Sequence, residues 1–434
     1  MSVSTPEQRA WYLYDWANSA FATSVVTLFL GPYLTALAKA AADYRGLVHP
    51  LGFNIDARSY WSYLVSLSVI LQVMVLPAIG ASVDRDHRKK QYLAITAYVG
   101  AAAAMAMYFL RGDMYQVGGV LFLIANISFG ASIVVYNSFL PEIAAPSERD
   151  AVSSKGWGVG YLGGGVLLAL NLVLYGNAAR LGISESLAVR ISLCSAGVWW
   201  ALFTIPALRG LKNRMAASSS TRRASSFAQL KRTVMGMRGY PQTAIFLIAY
   251  LLYNDAIQAV LALAAQFGND ELKIPVGQLT LTILMVQFVA FFGAVLFQRL
   301  AARSGAKAAI LISLVLWTAV VLYTYAAVKT ATEFFLAAGV IALVMGGSQA
   351  LSRSLFAQLI PRGHEAEYFG IYEISDKGTS WLCPLLFGLA LQFTRSYRLA
   401  LLSLIFFFVA GFLVLLRLDV RQGEAAALAK SATG

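Results

Sequence analysis

Apolar residues run along this chain in twelve long blocks separated by short polar connections. They lie near 11–38, 60–83, 91–110, 117–140, 156–175, 188–208, 243–266, 278–298, 306–328, 334–358, 367–393 and 397–417. Each block reaches about the 20 residues that carry an α-helix across the hydrocarbon of a bilayer. Helices are required there because, without water, every main-chain N–H and C=O must be paired within the protein. The short alternating segments of a membrane β-barrel do not occur in the pattern. The longest interior connection, 209–241, divides the blocks six and six. It contains the serine-rich, basic run AASSSTRRASS and then FAQLKRTVMGM, where Phe227, Leu230, Val234 and Met237 keep helical spacing beside Lys231 and Arg232. That spacing suits a helix lying on the membrane surface; a solvated linker explains the first part equally well. The expected fold is all-α and integral to the membrane, with twelve transmembrane helices in two pseudo-symmetric six-helix bundles. The expected divisions are an N-terminal bundle over 1–208, a cytoplasmic linker over 209–241, a C-terminal bundle over 242–420 and a cytoplasmic tail over 421–434.

Composition narrows the functional classes. Hydrophobic residues make up 59% of the chain and charged residues 13%, against roughly 25% charged in a soluble domain. A soluble enzyme and a disordered chain are thereby excluded. The net charge of +13 would elsewhere point to nucleic acid, but here it has a topological origin. With the N-terminus inside, 22 of the 34 lysines and arginines fall in cytoplasmic segments and 10 in outer ones; Arg353 and Lys377 fall within spans. This bias places both termini in the cytoplasm, so no nucleic-acid partner is expected, and in a bacterium the location is the inner membrane. Cys194 and Cys383 both lie in apolar runs, and His49, His87 and His364 lie in polar connections. No disulfide framework, metal site or cofactor is expected from them. The first apolar run has no small-residue cleavage site and reads as an uncleaved span.

Several motifs carry more information. Between helices 2 and 3 the chain reads GASVDRDHRKK, that is Gly80, Asp84, Arg85, Arg88 and Lys89 at fixed offsets. This resembles the major facilitator signature G-x3-D-R-x-G-R-K, with His87 in place of the second glycine. Physically, Gly80 permits close helix approach, Asp84 suits a neighbouring helix N-terminus, and the cations face anionic headgroups. The counterpart in the second half, GAVLFQRLAARSGAK from Gly293, has Phe297 where the acid would stand, so a single gate of this kind is expected. Glu142-x6-Arg149 between helices 4 and 5 matches another superfamily pattern, and the resemblance implies a cytoplasmic charge network of Asp84, Glu142 and Arg149. In helix 5, Gly158, Gly160 and Gly163 satisfy the dinucleotide fingerprint, but no strand precedes them and that reading fails its context. Taken in fours, Gly156, Gly160 and Gly164 form a series for close helix packing. The same string resembles the exporter motif G-x3-G-P-x2-G-G, with Tyr161 in place of its proline.

The phrases WYLYDWANSAFATSVVTLFLGPYL, YNSFLPEIA, GYLGGG, GGSQALSRSLFAQLIP and YFGIYEISDKGTSWLCPLLFG resemble the vacuole-effluxer-like branch of the major facilitators. Its fungal members are amino-acid effluxers acting in autophagy. The likeness covers most of 11–418 and implies the major facilitator fold, with a substrate site near the midplane between two related halves.

Ionisable residues inside spans are costly and mark function by default. They are Asp15, Asp255, Arg353, Glu373, Asp376 and Lys377. Asp15 shares a helix face with Asn18 and Ser19, and Asp255 repeats the spacing with Gln258, beside Asn254. YDWANSA and YNDAIQA thus read as equivalent positions in the two repeats. Asp15 follows Arg9 by only about 9 Å of helix rise, whereas Asp255 lies about 21 Å past Pro241. Asp15 therefore also reads as an interfacial acid at a helix N-terminus. Glu373, Asp376 and Lys377 stand at i, i+3 and i+4, with Glu373 placed to pair with Lys377. Arg353 shares a face with Gln349 and is expected to meet the Glu373/Asp376 acids or a substrate carboxylate. Asn126, Tyr136 and Asn137 are neutral candidates in helix 4 that equally suit helix-to-helix hydrogen bonds.

This inventory suits a small zwitterion, an amino acid or amine, with carboxylates for its ammonium and Arg353 or Lys377 for its carboxylate. The isolation and depth of Asp255 make it the candidate proton carrier, because burial disfavours a charged carboxylate. The expected partners are a small-molecule substrate, protons and membrane lipids, in a monomer. A lipid-like or amphipathic drug substrate is the alternative on the same fold. An intramembrane enzyme would need a catalytic constellation at membrane depth, where there is no histidine. A receptor would bring a sizeable soluble domain, and a primary pump would need a P-loop; the chain has neither.

Overall fold

The computed structural model describes residues 4–86, 88–214, 237–377, 386 and 396–431. Among these, eleven helices are long and apolar enough to cross a membrane. In chain order the helices are α1 (Pro6–Ala40), α2 (Tyr60–Asp86), α3 (Lys89–Phe109), α4 (Tyr115–Ile143), α5 (Pro146–Gly176) and α6 (Glu185–Gly210). There follow α7 (Pro241–Asp270), α8 (Val276–Ser304), α9 (Ala306–Ala326), α10 (Ala331–Leu359), α11 (Glu365–Lys377), α12 (Tyr397–Leu416) and α13 (Val420–Ser431). The expected span 367–393 is described up to Lys377 and at Leu386, and the side chains of Asp376 and Lys377 lie outside the description. So do Phe227, Leu230 and Val234 of the expected surface helix.

Helix ends extend past the apolar blocks where polar capping chemistry takes over. Thr5 and Gln8 form a capping box and Pro6 occupies the first turn, so α1 starts five residues before its apolar run. Thr330 and Glu333 cap α10 in the same way. Of the residues read as a tail, those described, 421–431, lie in α13, whose alanines, glutamate and lysine are strong helix formers. Within α1, Phe21–Phe29 takes π-helical winding, and Thr27 Oγ1 donates to the Ala22 carbonyl at 2.9 Å. Such winding is rare and concentrates at functional sites; here it begins one turn after Asn18, on the helix that carries Asp15. Between α1 and α2, strands β1 (Leu47–Val48) and β2 (Ile55–Asp56) pair antiparallel, Leu47 opposite Asp56.

The chain forms two compact units. One contains residues 1–76, 88–136 and 159–213; the other contains 77–87, 137–158 and 214–434. In the first, Trp11, Tyr14, Phe21, Tyr136 and Trp200 form the buried aromatic centre. There α1 lies directly on α5: a Cβ on Gly163 would stand 2.6 Å from the Trp16 carbonyl, and one on Gly160 2.8 Å from Ser19 Oγ. Gly164 meets Thr23 in the same row. In the second unit the tightest approach joins α8 to α10, where Gly293 faces the Leu343 main chain and Gly346 the Ala290 carbonyl. Lipid tails are as apolar as leucine, so helices associate by close packing, which small residues permit.

Gly163→Val would push its side chain into the main chain of α1 at Trp16. An overpacked contact costs about 1–3 kcal/mol. The variant is expected to unfold several degrees below the parent in a thermal scan in detergent, whereas Gly176→Ala, with open space around its Cα, should match the parent.

Candidate functional site

In the second unit a buried charged cluster forms around Arg353, which is 2% exposed. Its Nε donates to Ser153 Oγ at 2.9 Å and its Nη2 to the Ser153 carbonyl at 2.8 Å. The guanidinium lies 5.3 Å from the centre of the Trp157 ring, and Nη1 donates to Asn137 Oδ1 at 3.4 Å. The other end of that amide, Asn137 Nδ2, donates to Glu373 Oε1 at 3.2 Å. Asn137 thus bridges the guanidinium and a carboxylate that is itself 5% exposed. Burying two charges is tolerable only when their hydrogen bonds are supplied from within, and here α4, α5, α10 and α11 each contribute. Ser153 and Trp157, a turn apart on α5, hold the arginine although the sequence did not single them out. Their signal was the spacing of four inside AVSSKGWG, hidden by the more conspicuous glycines.

On α7, Asp255 is 2% exposed, Asn254 is fully buried and Gln258 is half-buried. Beside them Tyr253 and Ser352 share a hydroxyl–hydroxyl hydrogen bond of 2.6 Å, linking α7 to α10. Gln349, one turn before Arg353, is half-buried.

In the first unit Asp15 is 6% exposed and accepts a 2.6 Å hydrogen bond from the Tyr136 hydroxyl. Tyr136 is fixed in turn: Trp11 Nε1 donates to its carbonyl at 2.9 Å and the two rings stack with centroids 4.4 Å apart. Asp15 is therefore an enclosed carboxylate with a phenol donor. Asn18 is also buried, and its Nδ2 has no hydrogen-bond acceptor among the described residues. Asn126 stands apart from this group and donates to Ser68 Oγ at 2.9 Å, tying α4 to α2.

The signature loop also acquires a geometry. Asp84, on the last turn of α2, accepts from the main-chain N–H of Ala366 at 3.1 Å and of Glu367 at 2.9 Å. These are orphan donors of the first turn of α11, so a carboxylate from another helix caps it. Gly80, one turn earlier, lies against the Ala366 carbonyl with no room for a side chain. Arg85 pairs with Asp86 at the surface, Arg88 is exposed and Lys89 is buried. Arg149 donates to the carbonyls of Ala357, Ala144 and Pro141 at 2.7, 3.4 and 3.5 Å. Glu142 forms an ion pair with Arg214 at 3.5 Å. Arg149 therefore binds main-chain oxygens at the ends of α4 and α10, and among the described residues no ion pair joins it to Asp84 or Glu142. Gly156 is buried, in α5.

A family model described as vacuole effluxer, Atg22 like, matches residues 4–428. The chain belongs to that family. An uncharacterized MFS-type transporter, YxiO, of Bacillus subtilis is 29% identical over 418 residues, 96% of this chain and 95% of that one. Autophagy-related protein 22 of Kluyveromyces lactis is 26% identical over 467 residues, covering 96% and 94%. Among solved structures, the proton:xylose symporter XylE superposes with a TM-score of 0.72 at 12% identity over 94% of each chain, and the fucose:proton symporter FucP with 0.69 at 12%. The fold is that of the major facilitators, and this Atg22-like protein is a multi-pass membrane transporter, not an enzyme.

One group at the α2–α11 contact is an imidazole. His364 Nδ1 lies 3.2 Å from Glu367 Oε2, and that carboxylate, with Asp84 and Glu365 further off, holds the imidazole above its ordinary pKa against the opposing effect of burial. A raised value means that the charged form stabilises this contact fully below the ordinary pKa of about 6.5. The contribution is then lost as pH rises through the raised value. Hydrogen exchange at the Ala366 and Glu367 amides, corrected for intrinsic rates, is expected to accelerate over that interval, and His364→Gln should flatten the dependence. Independently, Asp84→Ala removes a cap worth about 1 kcal/mol and should speed the same amides roughly fivefold.

Proposed function

We propose that this Atg22-like chain exports small amino acids by alternating access, driven by exchange for protons. In this reading it is a monomer, and both termini are cytoplasmic; in a bacterium it sits in the inner membrane. The observation that carries it is the pair of enclosed aspartates on the first helices of the two halves, Asp15 on α1 and Asp255 on α7, each with a neutral amide beside it. A buried carboxylate attracts an ammonium and also takes up a proton readily, because burial disfavours its charge. One residue can therefore alternate between substrate amine and proton. Asp255, the more deeply enclosed, is assigned the coupling role; Asp15, with its phenol donor, is assigned to the substrate ammonium. The family's description as effluxers supports the direction.

A second reading, an amphipathic or lipid-like substrate, is favoured by one observation. Arg353 and Glu373 are joined through Asn137, which leaves less ionic capacity for a zwitterion.

Reconstitution into liposomes, with a panel of amino acids and an imposed pH gradient, tests both. Gradient-driven movement of at least one amino acid is expected, and Asp255→Asn should lower the gradient-dependent component at least tenfold while the protein elutes as a folded species. Movement of none of them overturns the amino-acid reading. Unchanged coupling in Asp255→Asn overturns that residue's role. Inhibition by amphipathic cations but not by amino acids selects the second reading.

A further inference from the structure

Away from the aspartates, a cavity of about 230 Å³ opens within the second unit between the start of α5, the end of α10 and α13. It is smaller than the roughly 300–1,000 Å³ of drug-sized sites, yet holds several times the ~30 Å³ share of one water. Three ionic side chains line it: Arg149, Arg362 and Glu424. Two positive charges and one negative leave a net charge of +1 facing the space.

The hydrogen bonding of these groups is incomplete. Arg149 is 7% exposed, and its three hydrogen bonds all go to neutral carbonyls. A guanidinium carries five N–H donors, so two remain without an acceptor among the described residues. No carboxylate among those residues stands within 4.0 Å of Arg149 or of Arg362. Glu424 faces the same cavity and makes no ion pair with either arginine. A buried guanidinium without a carboxylate partner is costly, and two guanidiniums facing one cavity provide the planar forks that phosphate oxygens accept in pairs.

We propose that this cavity binds a phosphate group, carried by a free ion or by a lipid headgroup, held between Arg149 and Arg362. Glu424 opposes it and sets the affinity. Gln358, also on the wall, supplies a neutral donor. The site includes α13, whose Gln422 is hydrogen-bonded to Gln242 at the start of α7 and whose Gly423 lies against Leu359 of α10. Occupancy would therefore fasten α13 to the ends of α5 and α10. The proposal is independent of which solute is transported.

The test uses the full chain purified in maltoside detergent. Sodium phosphate is titrated against sodium chloride at matched ionic strength, and thermal unfolding is followed. Phosphate is expected to raise the unfolding temperature saturably where chloride does not. Arg362→Gln, an exposed position whose loss leaves folding intact, should weaken the response at least tenfold. Glu424→Gln should tighten it several-fold by removing the opposing charge. In nanodiscs containing phosphatidylglycerol, loss of the response to free phosphate identifies the headgroup as occupant, and its persistence identifies the free anion. Equal effects of phosphate and chloride on the parent, or an Arg362→Gln response equal to the parent's, overturn the proposal.

Discussion

A guanidinium and a carboxylate buried together, Arg353 and Glu373, impose a requirement that much of the second unit serves. Removing one partner from such a pair costs about 3–5 kcal/mol, against roughly 0–1 kcal/mol for an exposed pair. The cluster therefore outweighs the many surface charges of this basic chain. Its hydrogen bonds come from Ser153 on α5 and Asn137 on α4, which lie far from α10 and α11 in sequence. This accounts physically for 137–158 belonging to the same compact unit as the C-terminal helices. Segments are assigned by where a buried charge finds its donors and acceptors, not by order along the chain.

The α2–α11 contact follows the same logic with a half-charge. The first turn of α11 presents unpaired N–H groups and the positive end of a helix dipole, and Asp84 supplies the anion. Gly80 makes the approach geometrically possible. Arg149 performs the opposite task at the end of α10, where a cation meets the carbonyl of Ala357. An acid at a helix start and a base at a helix end are complementary devices. Both act over a short range, so both depend on helices that pack closely.

Close packing is the contribution of the glycines. Gly160, Gly163 and Gly164 bring α5 onto α1 beside Asp15, and Gly293 and Gly346 bring α8 onto α10. The string that fits a dinucleotide fingerprint is thus a packing row. The π-helical stretch of α1 begins at Phe21, whose ring packs against Phe129 and Trp200, so the segment that carries Asp15 and Asn18 combines close contact with α5 on one face with altered winding just beyond.

Hydrophobic periodicity and length alone determined that this chain crosses a membrane repeatedly as helices, because lipid leaves unpaired main-chain groups no other solution. The signature loop marked Gly80 and Asp84 as a helix contact, since glycine and an acid at fixed offsets have few other uses. Which partners the buried ions take was decided by tertiary structure. Asp15 found Tyr136, 121 residues away, and Arg353 found Ser153, 200 residues away. His364 and Arg362 carry no periodic signal, and the spacing of four between Ser153 and Trp157 says nothing of their partner; all four matter because of what stands opposite them. Sequence spacing specifies which residues share a face of one helix. A hydrogen bond between helices depends on rotation, depth and approach distance, which are set only when the helices pack.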